Sequence, residues 1–409
     1  MREWKKVKIK DVCVGIYDGP HATPPVSNSG GIYLGISNIT PDGHIDLRDA
    51  KYISKEDLPK WTKRIVPQKG DIVFSYEATL NLYAIIPEDF YGCLGRRMAL
   101  IRVDKNMISN HFLYYYFFSK EWRSTIATNT IIGATVDRIP IAKFPDFPIS
   151  LPSLTTQNCI ATILSRYDSL IENYQKQIKL LEEAAQRLYK EWFVDLRFPG
   201  HENTKIVDGV PEGWEKKRLE DIFSYVRGRS YTSKELSDSG TILVNLKNIQ
   251  AFGGYKREAE KRYLGDYKQE QSLEVGDLIM GVTDMTQERR LVGHVALIPE
   301  FNEPATFSMD LIKILPFEIS KSFLYCAMRF GGISNQIAPL ANGVNVLHLK
   351  PEAMMGIEML VPSKGLIKHF DDYYNHGFKT ILHLQSQICL LTEARDRLLP
   401  KLMSGEITV

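Results

Sequence analysis

The sequence lacks most of what an enzyme or a membrane protein displays. Its densest apolar run, Phe112–Phe118, has seven residues, whereas a bilayer-spanning helix needs about 20. The five cysteines, Cys13, Cys93, Cys159, Cys326 and Cys389, are odd in number and far apart. No Cys-x-x-Cys occurs, which speaks against a zinc ribbon and a disulfide framework and for a reducing cytoplasm. The start, Met1-Arg2-Glu3-Trp4-Lys5-Lys6, is charged and lacks the apolar core of a signal peptide. Charge of one sign is not in excess either. Fifty-one Lys and Arg oppose 49 Asp and Glu, a net of +2, so any affinity for nucleic acid must come from local clusters.

Catalytic motifs are missing too. There is no Gly-x-x-x-x-Gly-Lys-Ser/Thr phosphate loop, no Gly-x-Gly-x-x-Gly fingerprint and no His-Glu-x-x-His. No Gly-x-Ser-x-Gly elbow appears, and the nine histidines show no metal-ligand spacing. One string, Pro41-Asp42 with Asp49-Ala50-Lys51, could hold a magnesium ion and a water. It does not recur in the second half, where Gln250-Ala251 and Glu260-Lys261-Arg262 stand. The chain is expected to carry no catalytic residue, metal or cofactor of its own.

What is present is a duplication. Trp4 aligns with Trp214, an offset of 214 − 4 = 210. Asp11 then falls on Asp221, and Ser37-Asn38-Ile39 on Lys247-Asn248-Ile249. Gly70-Asp71-Ile72-Val73 matches Gly276-Asp277-Leu278-Ile279, and Ala84-Ile85-Ile86-Pro87-Glu88 matches Ala296-Leu297-Ile298-Pro299-Glu300. Phe112-Leu113-Tyr114 matches Phe323-Leu324-Tyr325. Gly133 and Pro152 pair with Gly343 and Pro362. Offsets that drift and recover fit one fold with loops of different length. With 409 residues there is room for two cores. In each copy the first part reads as short strands and turns, such as Ile72-Val73-Phe74 after Gly70-Asp71, and Leu100–Val103. Ser109–Phe118 reads as a short helix whose aromatic face suits a core better than a base-stacking platform.

The pattern then changes. After Pro152, Ser153–Thr156 offers helix caps. Ile160, Leu164, Tyr167, Ile171, Tyr174, Ile178, Leu181, Ala185, Leu188 and Trp192 follow in steps of four and three. Such a seam calls for a partner helix. The second copy offers Phe370, Tyr374, Gly377, Ile381, Leu384, Ile388, Leu391, Arg395, Leu398 and Leu402. Gly377 and Arg395 interrupt this set, so the second helix is expected to kink or begin near Gly377. Pro and Gly at Phe198-Pro199-Gly200 and Val210-Pro211-Glu212-Gly213 mark a linker. Two such helices can pair antiparallel as a rod with a globular domain at each end. The alternative is that each packs on its own domain.

The fold class is therefore α/β (α+β): two pseudo-symmetric globular domains joined by two long antiparallel coiled-coil helices. The expected boundaries are 1–152, a spacer helix at 153–197, linker and second domain at 198–362, and a C-terminal helix at 363–409. Basic clusters fall near the loops. They are Lys5–Lys10, Lys60–Arg64 and Arg96-Arg97 in the first copy. In the second they are Lys216–Arg218, Arg227-Gly228-Arg229, Lys256-Arg257, Lys261-Arg262 and Arg289-Arg290. Arg and Lys suit phosphates, and Arg, Asn and Gln on loops suit base edges.

At this point the whole chain resembles the specificity subunits of type I restriction–modification systems. Ile163–Asp168 followed by Leu181–Asp195 is similar to the family's central conserved region, and Arg397–Ile407 to its C-terminal one. Tyr17-Asp18-Gly19-Pro20-His21-Ala22-Thr23-Pro24 and Cys93-Leu94-Gly95-Arg96-Arg97 look like motifs of one class of target-recognition domain. Ser75–Asn81 departs from that class, in which Arg and a Pro-x-Gly are common. The resemblance implies that each globular domain reads one half of a bipartite site on double-stranded DNA. The helices would set the distance between halves and dock two methyltransferase subunits, with restriction subunits joining. S-adenosylmethionine, ATP and Mg would belong to those partners, which would form a DNA adenine methyltransferase and ATP-dependent endonuclease. The residues expected at DNA are His21, Thr23, Tyr76, Arg96, Arg97 and Arg138 in the first domain. In the second they are Arg227, Arg229, Gln287, Arg289, Arg290 and His348. Two other readings stay open, a catalytic nuclease or methyltransferase half and a coiled-coil scaffold that binds no DNA.

Overall fold

The computed structural model describes residues 4–133 and 135–409. Met1–Glu3 of the charged N-terminus and Ala134 lie outside the described residues. The chain forms two compact units. One comprises Met1–Glu172 with Cys389–Val409, the other Asn173–Ile388.

In the first unit the strands are β1 (Lys5–Lys8), β2 (Cys13–Asp18), β3 (Gly31–Leu34), β4 (Lys51–Ile53), β5 (Ile72–Ser75), β6 (Tyr83–Ile85), β7 (Gly92–Leu94), β8 (Met98–Val103) and β9 (Pro148–Leu151). An antiparallel sheet runs β2-β8-β5-β6, a second sheet runs β4-β3-β7, and β1 pairs with β9. β3 and β7 are parallel. β5 reads as an unbroken apolar run because both its faces are buried. Alternate side chains go to different cores, as the two-residue period of a strand demands. Ile72 and Phe74, with Ala99 and Ile101, pack on the helix Asn110–Tyr116. Val73 and Ala84, with Met98 and Leu100, pack on Leu34 of the second sheet. The aromatic run Phe112–Phe117 is buried, so it is core. Trp122 Nε1 donates to Tyr83 Oη at 2.8 Å within it.

The second unit repeats this plan. Its main sheet runs Phe223–Arg227, Leu311–Pro316, Leu278–Gly281, Val295–Leu297, the same order as β2-β8-β5-β6. Thr241–Val244 pairs in parallel with Ala305–Phe307, as β3 does with β7. The duplicated sequence motifs now have reasons. Asn38 Oδ1 accepts from Gly35 N at 3.0 Å, and its amide donates to Asp46 O at 3.0 Å. Asn248 does the same to Asn245 N and Lys256 O, both at 2.8 Å. Gly70 and Gly276 take φ of 87° and 79°, the left-handed turn that glycine adopts at least cost. The aspartate after each caps that turn, accepting from Gln68 N at 2.8 Å and from Glu274 N at 2.9 Å. Buried Asp71 is held by a two-pronged ion pair with Arg102, at 2.9 and 2.7 Å. Asp277 uses Lys321 at 2.6 Å instead. The Pro/Gly linker is more ordered than its composition suggests. Ile206–Val207 pairs with Val210–Pro211, and Phe198 and Trp214 are buried in the core on either side of it.

The long helices run Leu154–Tyr189 and Lys364–Met403. Ser153 Oγ accepts from Thr156 N at 3.2 Å and caps the first, which closes in a π-helical turn at Lys190–Val194. The expected break in the second helix does not occur. Gly377 lies inside a continuous helix, with nothing within 4 Å of the place a Cβ would take. Its propensity cost of about 1 kcal/mol is small beside the packing of its neighbours. Tyr374 stacks on Phe370 and on Phe378, each at 5.9 Å. Arg395 is not a break either. It makes an ion pair with Asp168 Oδ1 at 2.7 Å, both side chains being 13% exposed. Tyr115 Oη donates to the other Asp168 oxygen at 2.5 Å.

In the first unit Ile160, Ala161 and Leu164 share a core with Leu399, Leu402 and Met403, and Asp168 meets Arg395. Numbers rise on one helix as they fall on the other, so these segments are antiparallel. In the second unit Trp192 stands 5.3 Å from His369, while Glu182 and Ala185 share a cleft with Phe378 and Ile381, which is antiparallel again. Of the seam, Leu164, Ile171, Ile381 and Leu384 are buried. Tyr167, Tyr174, Ile178, Leu181, Leu188, Ile388, Leu391 and Leu398 are half-buried, the pattern of a two-helix contact open on one side. Among the described residues no helix is long and apolar enough to cross a membrane.

Replacing Asp168 by Ala removes the buried partner of Arg395 and leaves it only the exposed Asp396 carboxylate, 2.9 Å away. It should cost about 3–5 kcal/mol, whereas Asp168→Leu with Arg395→Met should cost much less. Denaturant unfolding of the single and double variants checks this. Additive losses would show that the pair does not hold the helices.

Candidate nucleic-acid interface

A sheet whose loops cluster at one end presents those loops together, and backbone hydrogen bonds fix them there. In the first unit four segments meet beyond the ends of β2, β5 and β8. Gly19 N donates to Met98 O at 2.7 Å, and Tyr76 N to Arg97 O at 3.2 Å. Ile139 N donates to Tyr76 O at 2.7 Å, and Ala78 N to Asp137 O at 2.9 Å. Gly19 is required by this closeness, because a Cβ there would lie 2.3 Å from Gly95 O. The side chains interlock as well. Tyr76 Oη donates to Arg96 O at 3.2 Å and stands 3.5 Å from His21 Nδ1. His21 Nε2 is 2.8 Å from Asp18, and the same carboxylate pairs with Arg64. Arg97 Nε lies 3.5 Å from Glu77 and has no hydrogen-bond partner. His21, Thr23, Arg96 and Arg138 are exposed. The structure thus gathers His21, Tyr76, Arg96, Arg97 and Arg138, with Thr23 further along the His21 loop.

The second unit joins the equivalent segments. Gly228 N donates to Leu311 O at 3.1 Å, Val282 N to Asp310 O at 2.8 Å, and Leu349 N to Val282 O at 2.8 Å. A Cβ on Gly228 would lie 2.0 Å from Ser308 O. Arg138 and His348, separated by 348 − 138 = 210, bridge the equivalent Glu77 and Thr283. Gln287, Arg289, Arg290 and His348 come together on two loops here. Gln287 spends its amide nitrogen on Val344 O at 2.9 Å, and Arg290 pairs with Glu288 at 2.6 Å. Arg289 has a φ of 53°.

Arg227 and Arg229 flank the end of the sheet and are already engaged. Arg229 Nε donates to Tyr263 Oη at 2.6 Å. Arg227 pairs with Glu352 at 2.8 Å. The Tyr225 hydroxyl, a backbone hydrogen bond and Arg227 together hold the Glu352 carboxyl down at about 2. Several candidate cations thus have carboxylate neighbours, and DNA phosphates would have to exchange for them.

Sequence reasoning missed the residues that shape the loops. Buried Asp284 accepts from Leu291 N at 2.7 Å, Thr286 N at 2.9 Å and Thr286 Oγ1 at 3.0 Å. It pins Met285–Arg290 at both ends. Burial opposes its ionisation, but these hydrogen bonds prevail and hold its carboxyl below the usual range. Arg64 and Asp18 buttress His21 in the same way. The Asp284 contacts are local, within eight residues, whereas Arg64 reaches Asp18 from 46 residues away, which no spacing signals. Among the described residues, no three His, Cys, Asp or Glu side chains converge as metal ligands would.

Known proteins match this architecture. Residues 1–183 match the family described as "Type I restriction modification DNA specificity domain". The MjaIX specificity subunit of Methanocaldococcus jannaschii is 27% identical, over 100% of this chain and 94% of its own. The HindI specificity subunit of Haemophilus influenzae is 22% identical over all of both chains. A crystal structure of a type I restriction–modification S subunit from M. genitalium superposes with a TM-score of 0.57 at 18% identity, covering 98% of this chain and 96% of that one. Over its first 183 residues the chain is thus similar to a type I DNA specificity domain, and over its whole length to type I specificity subunits. The M. genitalium subunit shares its fold, two α/β bodies linked by long helices.

The Asp284 carboxyl is depressed in the folded state, so its contribution is full above the unfolded value of about 3.9 and is lost as pH falls through the folded one. Asp284→Ala should cost roughly 1–3 kcal/mol near neutral pH. The deficit should shrink below about pH 4, as read by denaturant unfolding across pH. A deficit independent of pH would remove the carboxylate from this role.

Proposed function

We propose that this chain is a type I specificity subunit that reads a bipartite site on double-stranded DNA, one half-site per unit, through the loop cluster at one end of each main sheet. The observation that carries the reading is the repetition of that cluster: the same four segments, tied by equivalent backbone hydrogen bonds, present different side chains in the two units. Shared framework with unshared tips is what two readers of different sequence require. His21, Thr23, Tyr76, Arg96, Arg97 and Arg138 serve the first half-site. Gln287, Arg289, Arg290 and His348 serve the second, with Arg227 and Arg229 at its margin. The long helices dock two methyltransferase subunits and set the distance between half-sites, and restriction subunits join that assembly. S-adenosylmethionine, ATP and Mg act on those partners, and this chain contributes no cofactor.

The test is binding of the assembled methyltransferase to its target, located by mapping methylated bases in the host genome. Arg96→Ala or Arg289→Ala has one of two signatures. Loss of a phosphate contact weakens all sequences alike and flattens the salt slope by about one unit. Loss of a base contact costs about 1–3 kcal/mol at one target position, in the first half-site for Arg96 and the second for Arg289. If neither variant changed affinity, salt dependence or motif, the loop cluster would not be the DNA face.

A further inference from the structure

Two side chains at these loops oppose the ordinary rule for surface aliphatics. Val344 is 90% exposed and Ile132 is 85% exposed, the two highest values among the exposed large hydrophobic residues described. A single exposed aliphatic needs no explanation. These two, however, sit in the same turn of the two repeats. Ile132 precedes Gly133 and Val344 follows Gly343, and those glycines are 343 − 133 = 210 apart. Each turn leads into the residue that bridges the loop cluster, Arg138 or His348.

The turn of the second unit is fastened by a side chain, and both turns depend on their glycine. A Cβ on Gly343, whose φ is 154°, would lie 1.9 Å from Val346 O, and one on Gly133 would lie 2.3 Å from Val136 O. Gln287 fastens Val344 by its carbonyl at 2.9 Å. In the first unit Ile131 and Arg138 exchange backbone hydrogen bonds at 2.9 and 3.1 Å and close the turn from the other side. In the second unit Met285 and Met309, also exposed, belong to the same loop cluster. Val344 stands exposed between Gly343 and Asn345, and Ile132 stands exposed between Ile131 and Gly133.

We propose that Ile132 and Val344 are apolar base contacts, each placed by its turn against the bases of its own unit's half-site. The chemistry they fit is the apolar surface of a base: the C5-methyl of thymine in the major groove, or the face of a base step opened by a wedge. Phosphates and the hydrogen-bonding groups of base edges offer such a side chain nothing, whereas both apolar surfaces lose water against it. The inference rests on the DNA-reading function proposed above and assigns these positions specificity rather than affinity for the backbone.

The experiment uses the chain assembled with its methyltransferase subunits, on the motif found by methylation mapping. Val344→Ser should weaken binding to the target about tenfold, the lower end of what one base contact supplies. Affinity for unrelated DNA and the salt slope should stay unchanged, and Val344→Leu should restore most of the loss. Ile132→Ser should do the same through the first half-site. Two arms separate the surfaces. If the contact is a thymine methyl, replacing one thymine by uracil weakens the wild type and abolishes the difference from Val344→Ser. If it is an opened step, 2-aminopurine at that step brightens on binding the wild type and not the variant. Serine variants that bind target and unrelated DNA as the wild type does would overturn the proposal while leaving the DNA-reading function intact. A wild-type complex that prefers no sequence would overturn both.

Discussion

The structure depends on how two long amphipathic helices bury their stripes. Neither is stable alone in water, because its apolar side needs a surface. The chain supplies that surface from its own far end. Ile160 and Leu164 meet Leu399, Leu402 and Met403, and these residues also complete the core under the helix Asn110–Tyr116. The first unit therefore closes only when Cys389–Val409 has returned to it. Asp168 and Arg395 fix the register there by charge, and Trp192, Phe193 and Phe370 fill the equivalent place in the second unit with rings.

On that framework the two units share what holds the sheet and differ in what leaves it. Asn38 and Asn248 tie the same turn, and Asp71 and Asp277 cap the same corner. At the sheet end, glycine persists where the backbones touch, at Gly19 and Gly228. Around it, Tyr76, Arg97 and Arg138 in one unit give way to Val282, Asp310 and His348 in the other. A fixed frame under variable tips suits the proposed reading of two different half-sites with one fold.

Much of this was legible in the sequence. The duplication could be read because its carriers, Gly-Asp turns, buried asparagines and apolar strands, are dictated locally. The first long helix was visible from its period alone. The second misled at Gly377 and Arg395, because period and propensity do not register a ring stack along one helix or an ion pair to a residue 395 − 168 = 227 positions away. The basic clusters pointed to the loops but not to their electrostatics. Glu352, Glu288 and Glu77 stand beside the candidate arginines in space. The role of Gln287 as a loop fastener, and the display of Val344, follow from three-dimensional closeness and left no trace in spacing.

The central claim is that each unit reads its half-site by itself. The most direct measurement replaces residues 214–361 with residues 4–151 of the same chain, so that both units carry the first unit's loops. The methylated motif of cells expressing this variant with its partner subunits is then mapped. The account predicts that the motif contains the first half-site twice and that the original second half-site disappears. Retention of the second half-site, or a motif unrelated to either, would contradict it.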